Sequence, residues 1–365
     1  MMGPLTRSVG VALLTLALAA TAACSDDAET SDSSLATTVG GDTAETPTIT
    51  IVTYSSYVLD EAVQAKVEND LGVKLEISAT GDGAEALTAA ILTAGRPEGD
   101  IFFGVDNTLL SRAVAGNLFV PLDPADVPNL AEIPEELLLD ESGQLVPIDV
   151  GPVCVDYDQQ WFAERGLEPP SSLQDLTDPK YRDLLVVQSP VTSTPGLVFL
   201  MATHALLGDD ADAFWQGLVD NGVSVAGSWD DAWYSQYTVS GGDRPLVVSY
   251  ASSPPAEVFY SEGAVTTPRS AVIESTCADQ VEFAGVLDGS EHVDKATEVI
   301  NAMLDIAWQE SLPLTNFVYP ARPDAAEPDL FTQFAPRPAA SIVLDPAEIE
   351  ERRDEWIDDW RSIVE

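Results

Sequence analysis

The sequence predicts an α/β fold in two lobes, and three observations carry that expectation. β-Branched apolar segments recur with amphipathic helical patterns behind them, glycine turns separate the two, and 365 residues exceed what one compact domain usually needs. With 45% apolar and 7% aromatic residues, the chain has material for more than one core.

Thr48 to Tyr54, TITIVTY, is β-branched and aromatic and reads as a buried first strand. After Asp60, Val63, Val67 and Leu71 recur at four-residue steps until Gly72, the pattern of a helix lying on a sheet. A second strand, Val73 to Ile77, runs into Thr80-Gly81-Asp82-Gly83 and then a helix with Leu87 and Ile91 on one face, completing a βαβ unit. The alternation returns at Gly99 to Val105, at Leu184 to Val187 before a helix at Pro195-Gly196, and at Pro245 to Tyr250 before a helix from Pro254. A later helix places Ala296, Val299, Ile300, Met303 and Leu304 at core spacing ahead of Pro313. The last helix opens at Asp345-Pro346-Ala347-Glu348, an acidic cap followed by proline, and buries Ile349, Trp356, Trp360 and Ile363.

The amino terminus reads as an export signal over residues 1–23: Arg7, then an apolar stretch from Val9 to Ala23 too short to span a bilayer. Thr21-Ala22-Ala23-Cys24 fits a lipoprotein signal-peptidase site, with Thr21 where leucine is usual; an ordinary cleavage site beside an incidental cysteine is the plainer alternative. Residues 24–47, rich in small and acidic side chains, read as a lipidated, disordered tether anchored by Cys24. Cys154 and Cys277 remain, and an even pair in an oxidising compartment favours a disulfide. No Cys-x-x-Cys spacing points to a metal or redox site.

Sixteen Lys and Arg against 61 Asp and Glu give a formal charge of −45, which repels nucleic acid and anionic membrane surface. Catalysis finds little support. His204 sits in the apolar helical stretch FLMATHALLG and His292 in a polar loop, and neither belongs to a hydrolase, zinc or nucleotide motif. Paired carboxylates keep a secreted hydrolase open as an alternative. Binding is better served. Val191-Thr192-Ser193-Thr194-Pro195-Gly196 and Ala251-Ser252-Ser253-Pro254 each place hydroxyls before a proline that opens a helix, which suits an anion such as phosphate, although plain N-capping uses the same residues. Ser228-Trp229-Asp230-Asp231-Ala232-Trp233-Tyr234 sets three aromatics around two acids in a polar loop; core packing explains any one of them, but together they suit a flat cation. The two features suggest a ligand carrying a cationic ring and a phosphate.

The strings GDIFFGVDNTLLSRA from Gly99, VTSTPGLVFLMAT from Val191, LVVSYASSPPAEV from Leu246 and LPLTNFVYP from Leu312 resemble the thiamine-binding components of bacterial ABC transporters, from about Thr48 to the carboxyl terminus. The resemblance implies a type II periplasmic-binding-protein fold, two α/β lobes joined by crossover strands and closing by a hinge, with residues 48–148 and 277–315 in lobe 1 and 149–276 and 316–365 in lobe 2. It implies a monomeric, extracytoplasmic solute-binding protein, not an enzyme, that passes thiamine or thiamine phosphate to the permease of an ABC importer without cofactor or metal. Carried over by position, ligand contacts fall on Tyr54, on Asp82 and Gly83, on Ser193 and Thr194, on Trp229 and Trp233, on Tyr250, Ala251, Ser252 and Ser253, and on Phe317. In that picture Asp82 lies near the ligand rings, and the Cys154–Cys277 bond ties neighbouring hinge strands. The chain departs from its relatives where Tyr54-Ser55-Ser56-Tyr57 replaces Tyr-Asp-Ser-Phe, where Phe317 replaces tryptophan, and where Trp233 replaces tyrosine. Ferric ion and polyamines are rival solutes for the same fold.

Overall fold

The computed structural model describes residues 46–339 and 341–365; the predicted signal, the tether and Cys24 lie outside them. Strand β1 (Thr48–Thr53) leads through helix α1 (Glu61–Leu71) to β2 (Lys74–Ala79), its parallel neighbour. Asp60 caps α1 by accepting from the N–H groups of Ala62 and Val63, and Gly72 ends it in the left-handed conformation at φ 63°. Helix α2 (Gly83–Leu92), strand β3 (Ile101–Asp106), short helix α3 (Leu110–Ala115) and strand β4 (Val146–Val150) complete the first passage through this lobe.

Gly151 and Pro152 carry the chain across into β5 (Val153–Asp158), which belongs to a second sheet. There follow α4 (Gln159–Arg165), β6 (Leu185–Gln188), α5 (Thr194–Leu207), α6 (Ala211–Asp220), β7 (Ser224–Ala226), β8 (Leu246–Tyr250), α7 (Pro254–Phe259) and β9 (Ser270–Ala278). Asp279 and Gln280 cross back to β10 (Val281–Val286), followed by α8 (Val293–Met303), α9 (Ile306–Thr315), β11 (Tyr319–Pro320), α10 (Asp329–Phe334) and α11 (Pro346–Val364). The first sheet has the order β11-β4-β10-β3-β1-β2 and the second β7-β6-β8-β5-β9. Each mixes parallel βα units with an antiparallel strand, β10 or β5, that enters directly from the other sheet.

The predicted lobe boundaries need three corrections. β4 keeps Asp149 and Val150 in the first sheet, and β9 keeps Cys277 and Ala278 in the second. Residues 316–365 do not stay in one lobe. Tyr319 pairs with Val150 at the edge of the first sheet, a position that tolerates Pro320 because an edge strand needs no N–H on its outer side. α11 instead covers the helices of the second lobe: Trp356 stacks on His204 of α5 at 4.5 Å, and Trp360 meets Trp215 of α6 edge-on at 6.0 Å. Burial of Trp215, Trp356 and Trp360 anchors the carboxyl terminus there. The sulfurs of Cys154 and Cys277 are bonded, joining the start of β5 to the end of β9 next to both crossings.

Candidate functional site

Parallel strands β1, β6 and β8 run out at one place, and their carboxyl ends with the loops behind them enclose a cavity of about 730 Å³ lined from both lobes. Tyr54 follows β1 directly and lies flat across β3. Gly104, at φ 109°, permits this: a Cβ there would sit 2.7 Å from the Tyr54 ring. The Tyr54 hydroxyl donates to Glu282 Oε2 at 3.0 Å on the cavity floor.

Asp82 is the N-cap of α2, and its carboxylate reaches the opposite lobe. The Trp229 N–H donates to Oδ2 at 3.0 Å, while Thr194 N–H at 3.4 Å and Gly83 N–H at 2.7 Å both point to Oδ1. Burial pushes this carboxyl above its ordinary range, against the pull of those N–H groups and of the Ser193 hydroxyl. The seat at the start of α5 is thus filled by a carboxylate from the chain itself, where the sequence suggested phosphate. Contact is close enough that a Cβ on Gly83 would lie 2.9 Å from Thr194 Cγ2.

The aromatic wall stands on an unusual turn. Residues 228–234, expected as a polar loop, run into a π-helical turn over Asp231–Gln236, closed by the Tyr237 N–H donating to the Ala232 carbonyl at 3.0 Å. The wide turn buries Ala232 and Trp233 against Tyr237 and turns Trp229 to the cavity. Trp229 stacks on Trp233 at 5.7 Å and 13°, meets Tyr234 edge-on at 5.7 Å, and tilts toward Tyr250 at 6.4 Å. Its indole N–H donates to Ser249 Oγ at 2.9 Å, and Ser249 and Ser253 share a hydrogen bond of 2.8 Å. The Ser253 hydroxyl also accepts from the Tyr250 N–H at 3.2 Å, so it braces its own loop. Ser252 donates to the carbonyl of Phe317, which holds a left-handed φ of 53° on the far side of the cavity.

The structure brings Tyr54, Asp82, Thr194, Trp229, Trp233, Tyr250, Ser253 and Phe317 to the one cavity. Gly83, Ser193, Ala251 and Ser252 support it from behind; Ala251 packs on the disulfide. Tyr234 and Asp230, which the sequence placed in the aromatic–acid cluster, also line the cavity; sequence reasoning missed Tyr260 and Asn316 at the rim and two charged residues within, Glu282 and Arg269. Arg269 is ion-paired with the buried Asp158. Glu282 had a legible signal, an acid inside VEFAGV, a segment otherwise apolar enough for a buried strand.

Beneath the floor, Glu282 of β10 stands opposite Asp149 of β4 on one side and Asp106 of β3 on the other. All three are buried. Burial pushes Glu282 up to about 8, with Asp106 and Asp82 repelling its charge and the Tyr54 hydroxyl opposing the rise. Asp149 is also raised, by burial and then by Glu282; Asp106 is raised to about 7 by burial despite bonds from Thr108 and Gln280.

Two α/β lobes, paired crossings and an aromatic, acid-floored cavity between them define a solute-binding protein that encloses its ligand. The chain belongs to the bacterial extracellular solute-binding protein family, whose model matches residues 97–351. It is 29% identical over 322 residues to the thiamine-binding periplasmic protein of Salmonella typhimurium, covering 87% of this chain and 94% of that one. To the thiamine-binding periplasmic protein of Escherichia coli it is 28% identical over 326 residues, covering 87% and 94%. Among solved structures, a periplasmic thiamin binding protein superposes with a TM-score of 0.76 at 27% identity, covering 88% of this chain and 97% of that one. A ferric binding protein from Campylobacter jejuni superposes with a TM-score of 0.69 at 17% identity, over 86% and 99%, a likeness of fold alone. The fold is that of type II periplasmic binding proteins.

Proposed function

We propose that this protein captures thiamine or a thiamine phosphate outside the cytoplasm and delivers it to the permease of an ABC importer, as a monomer, without cofactor and without catalysis. The observation that carries the reading is the cavity wall: Trp229, Tyr250 and Tyr54 line it together with the acids Asp82, Asp230 and Glu282. A flat cationic ring gains cation–π attraction and acid contacts there in exchange for its lost water. The names of its relatives point the same way. Trp229, Tyr250, Tyr54 and Phe317 are proposed to hold the rings, with Trp233 backing Trp229. Ser193, Thr194 and Ser253, with the N–H groups of Gly83 and Thr194 that Asp82 now engages, are proposed to receive a phosphate once Asp82 withdraws.

The test is the mass of any small molecule that copurifies, followed by calorimetry with thiamine, its phosphates, ferric ion and spermidine. Thiamine forms should bind; tight binding of iron or spermidine with no thiamine signal would end the proposal. Membrane attachment through an acylated Cys24 is part of it, checked by mass spectrometry of the membrane fraction, and a mature chain beginning at another residue would refute that part.

A further inference from the structure

The carboxyls beneath the cavity carry more than the ligand reading asks of them. Asp149, Glu282 and Asp106 are consecutive neighbours across β4, β10 and β3, in register, so their side chains stand in a row. Asp149 is 1% exposed and neither of its oxygens has a hydrogen-bond partner, although its carboxyl lies against that of Glu282. A buried, unpartnered carboxylate facing a second one is unstable unless a proton lies between them. Glu282 is the member that reaches the cavity, where one oxygen is engaged by Tyr54.

We propose that Glu282 and Asp149 share a proton in the empty cavity and that a cationic ligand binds by displacing it to solvent. This rests on the ligand being a cation, as proposed above for thiamine. The charge balance follows from what faces the pair. On β10 and its neighbours stand Asp106 and Asp149; from the ends of β1 and β8 and the cap of α2 come Tyr54, Tyr250 and Asp82; and Tyr57 packs alongside. Every one is an acid, neutral or negative, and none supplies a positive charge. Arg269, which lines the same cavity, is already paired with Asp158. A proton is therefore the counter-charge of the empty site, and a ligand cation over Glu282 makes it redundant. The proton leaves for the buffer, the pair passes from a monoanion to a dianion against the bound cation, and the carboxyl O–H bond is the only bond broken.

Calorimetry of thiamine binding in two buffers of different ionisation enthalpy, between pH 6 and 7.5, counts the protons. The wild type should release on the order of 0.5–1 proton per ligand, with affinity rising up to about tenfold per pH unit. Glu282→Gln, which cannot give up a proton, should release none and bind with a flat pH profile. Asp149→Asn should do the same while leaving the cavity lining intact, and it serves where Glu282→Gln fails to fold. Thiamine binding to wild type without proton release would overturn the inference and leave the ligand assignment standing. Absence of thiamine binding would instead remove the ligand assignment. The infrared carboxyl band of ligand-free protein at pH 7 then decides: a protonated carboxyl missing in Asp149→Asn and Glu282→Gln keeps the shared proton, and no such band in wild type overturns it.

Discussion

Replacing Asp82 by alanine tests whether the carboxylate at the start of α5 holds the two lobes together. Its bond from the Trp229 N–H at 3.0 Å is of full strength, whereas the 3.4 Å approach of the Thr194 N–H is long. One charge-assisted bond contributes about 1.5–3 kcal/mol and a charge at a helix start about 0.3–1 kcal/mol, so the gross closing contribution is about 2–4 kcal/mol. Burial outweighs the donors in setting this carboxyl's pKa, so part of that contribution is offset by desolvation. The lower figure, about 2 kcal/mol, is the one to expect, and it corresponds to a roughly 30-fold weaker Kd for thiamine. Losing the cap of α2 costs about 1 kcal/mol of stability, too little to unfold the protein. Thiamine monophosphate should lose less than about tenfold, because its phosphate enters the vacated seat and restores the missing charge. Calorimetry of both ligands on wild type, Asp82→Ala and Asp82→Asn makes the comparison, with small-angle scattering to follow closure. A thiamine Kd within about threefold of wild type would show that Asp82 is a helix cap and no more.

Other outcomes follow from neighbouring contacts. Trp229→Ala should weaken every thiamine form together, by roughly 0.5–2 kcal/mol for the cation–π contact alone, since the ring serves the cation and not the phosphate; a loss confined to the phosphates in calorimetry would contradict this. Replacing Cys154 and Cys277 by alanine should lower stability by about 2–4 kcal/mol, because the bond spans 123 residues of sequence and fastens both hinge-side strands; an unchanged melting temperature would refute that role. His204 is held down to about 4 by burial against Trp356, so its contribution is present above the unfolded value near 6.5 and is lost as pH falls toward 4. His204→Phe should therefore flatten the loss of stability over that window in urea titrations, and identical slopes would dismiss the idea. Asp106 and Glu282 act with the opposite sign: the fold holds their protons more tightly than the unfolded chain, so their contribution is lost as pH rises through about 7 and 8.

What was legible in the sequence was local. Asp60 before Val63 and Val67, Gly72 after them, and Pro346 behind Asp345 each act within one helical turn, and all became caps or ends where expected. The lobe boundaries were harder because they depend on partners far along the chain. Nothing in Tyr319-Pro320 reveals that the free edge of β4, some 170 residues earlier, is available to it. The π-helical turn was invisible for a related reason. Its wide ring is stabilised by burying Trp233 against Tyr237 and the second sheet, not by any local preference of Asp-Ala-Trp-Tyr.

The site divides along the same line. Ser193-Thr194-Pro195 correctly reads as the start of a helix able to hold an anion, yet the anion found there comes from Asp82, 112 residues away in the other lobe. An N-cap motif states that positive ends exist and cannot say which carboxylate or phosphate will meet them. The acids work in the reverse direction. Among 61 carboxylates nothing singles out Asp106 and Asp149, and only its apolar strand marks Glu282, until the β3-β10-β4 register sets all three side by side out of water. Once they are adjacent, their excess of negative charge becomes a property of the cavity, and Arg269, already bound to Asp158, does not relieve it. A cleft built this way lacks a positive charge that only a proton or a ligand can provide, and that shortage, more than any one contact, makes a cation the solute it is suited to hold.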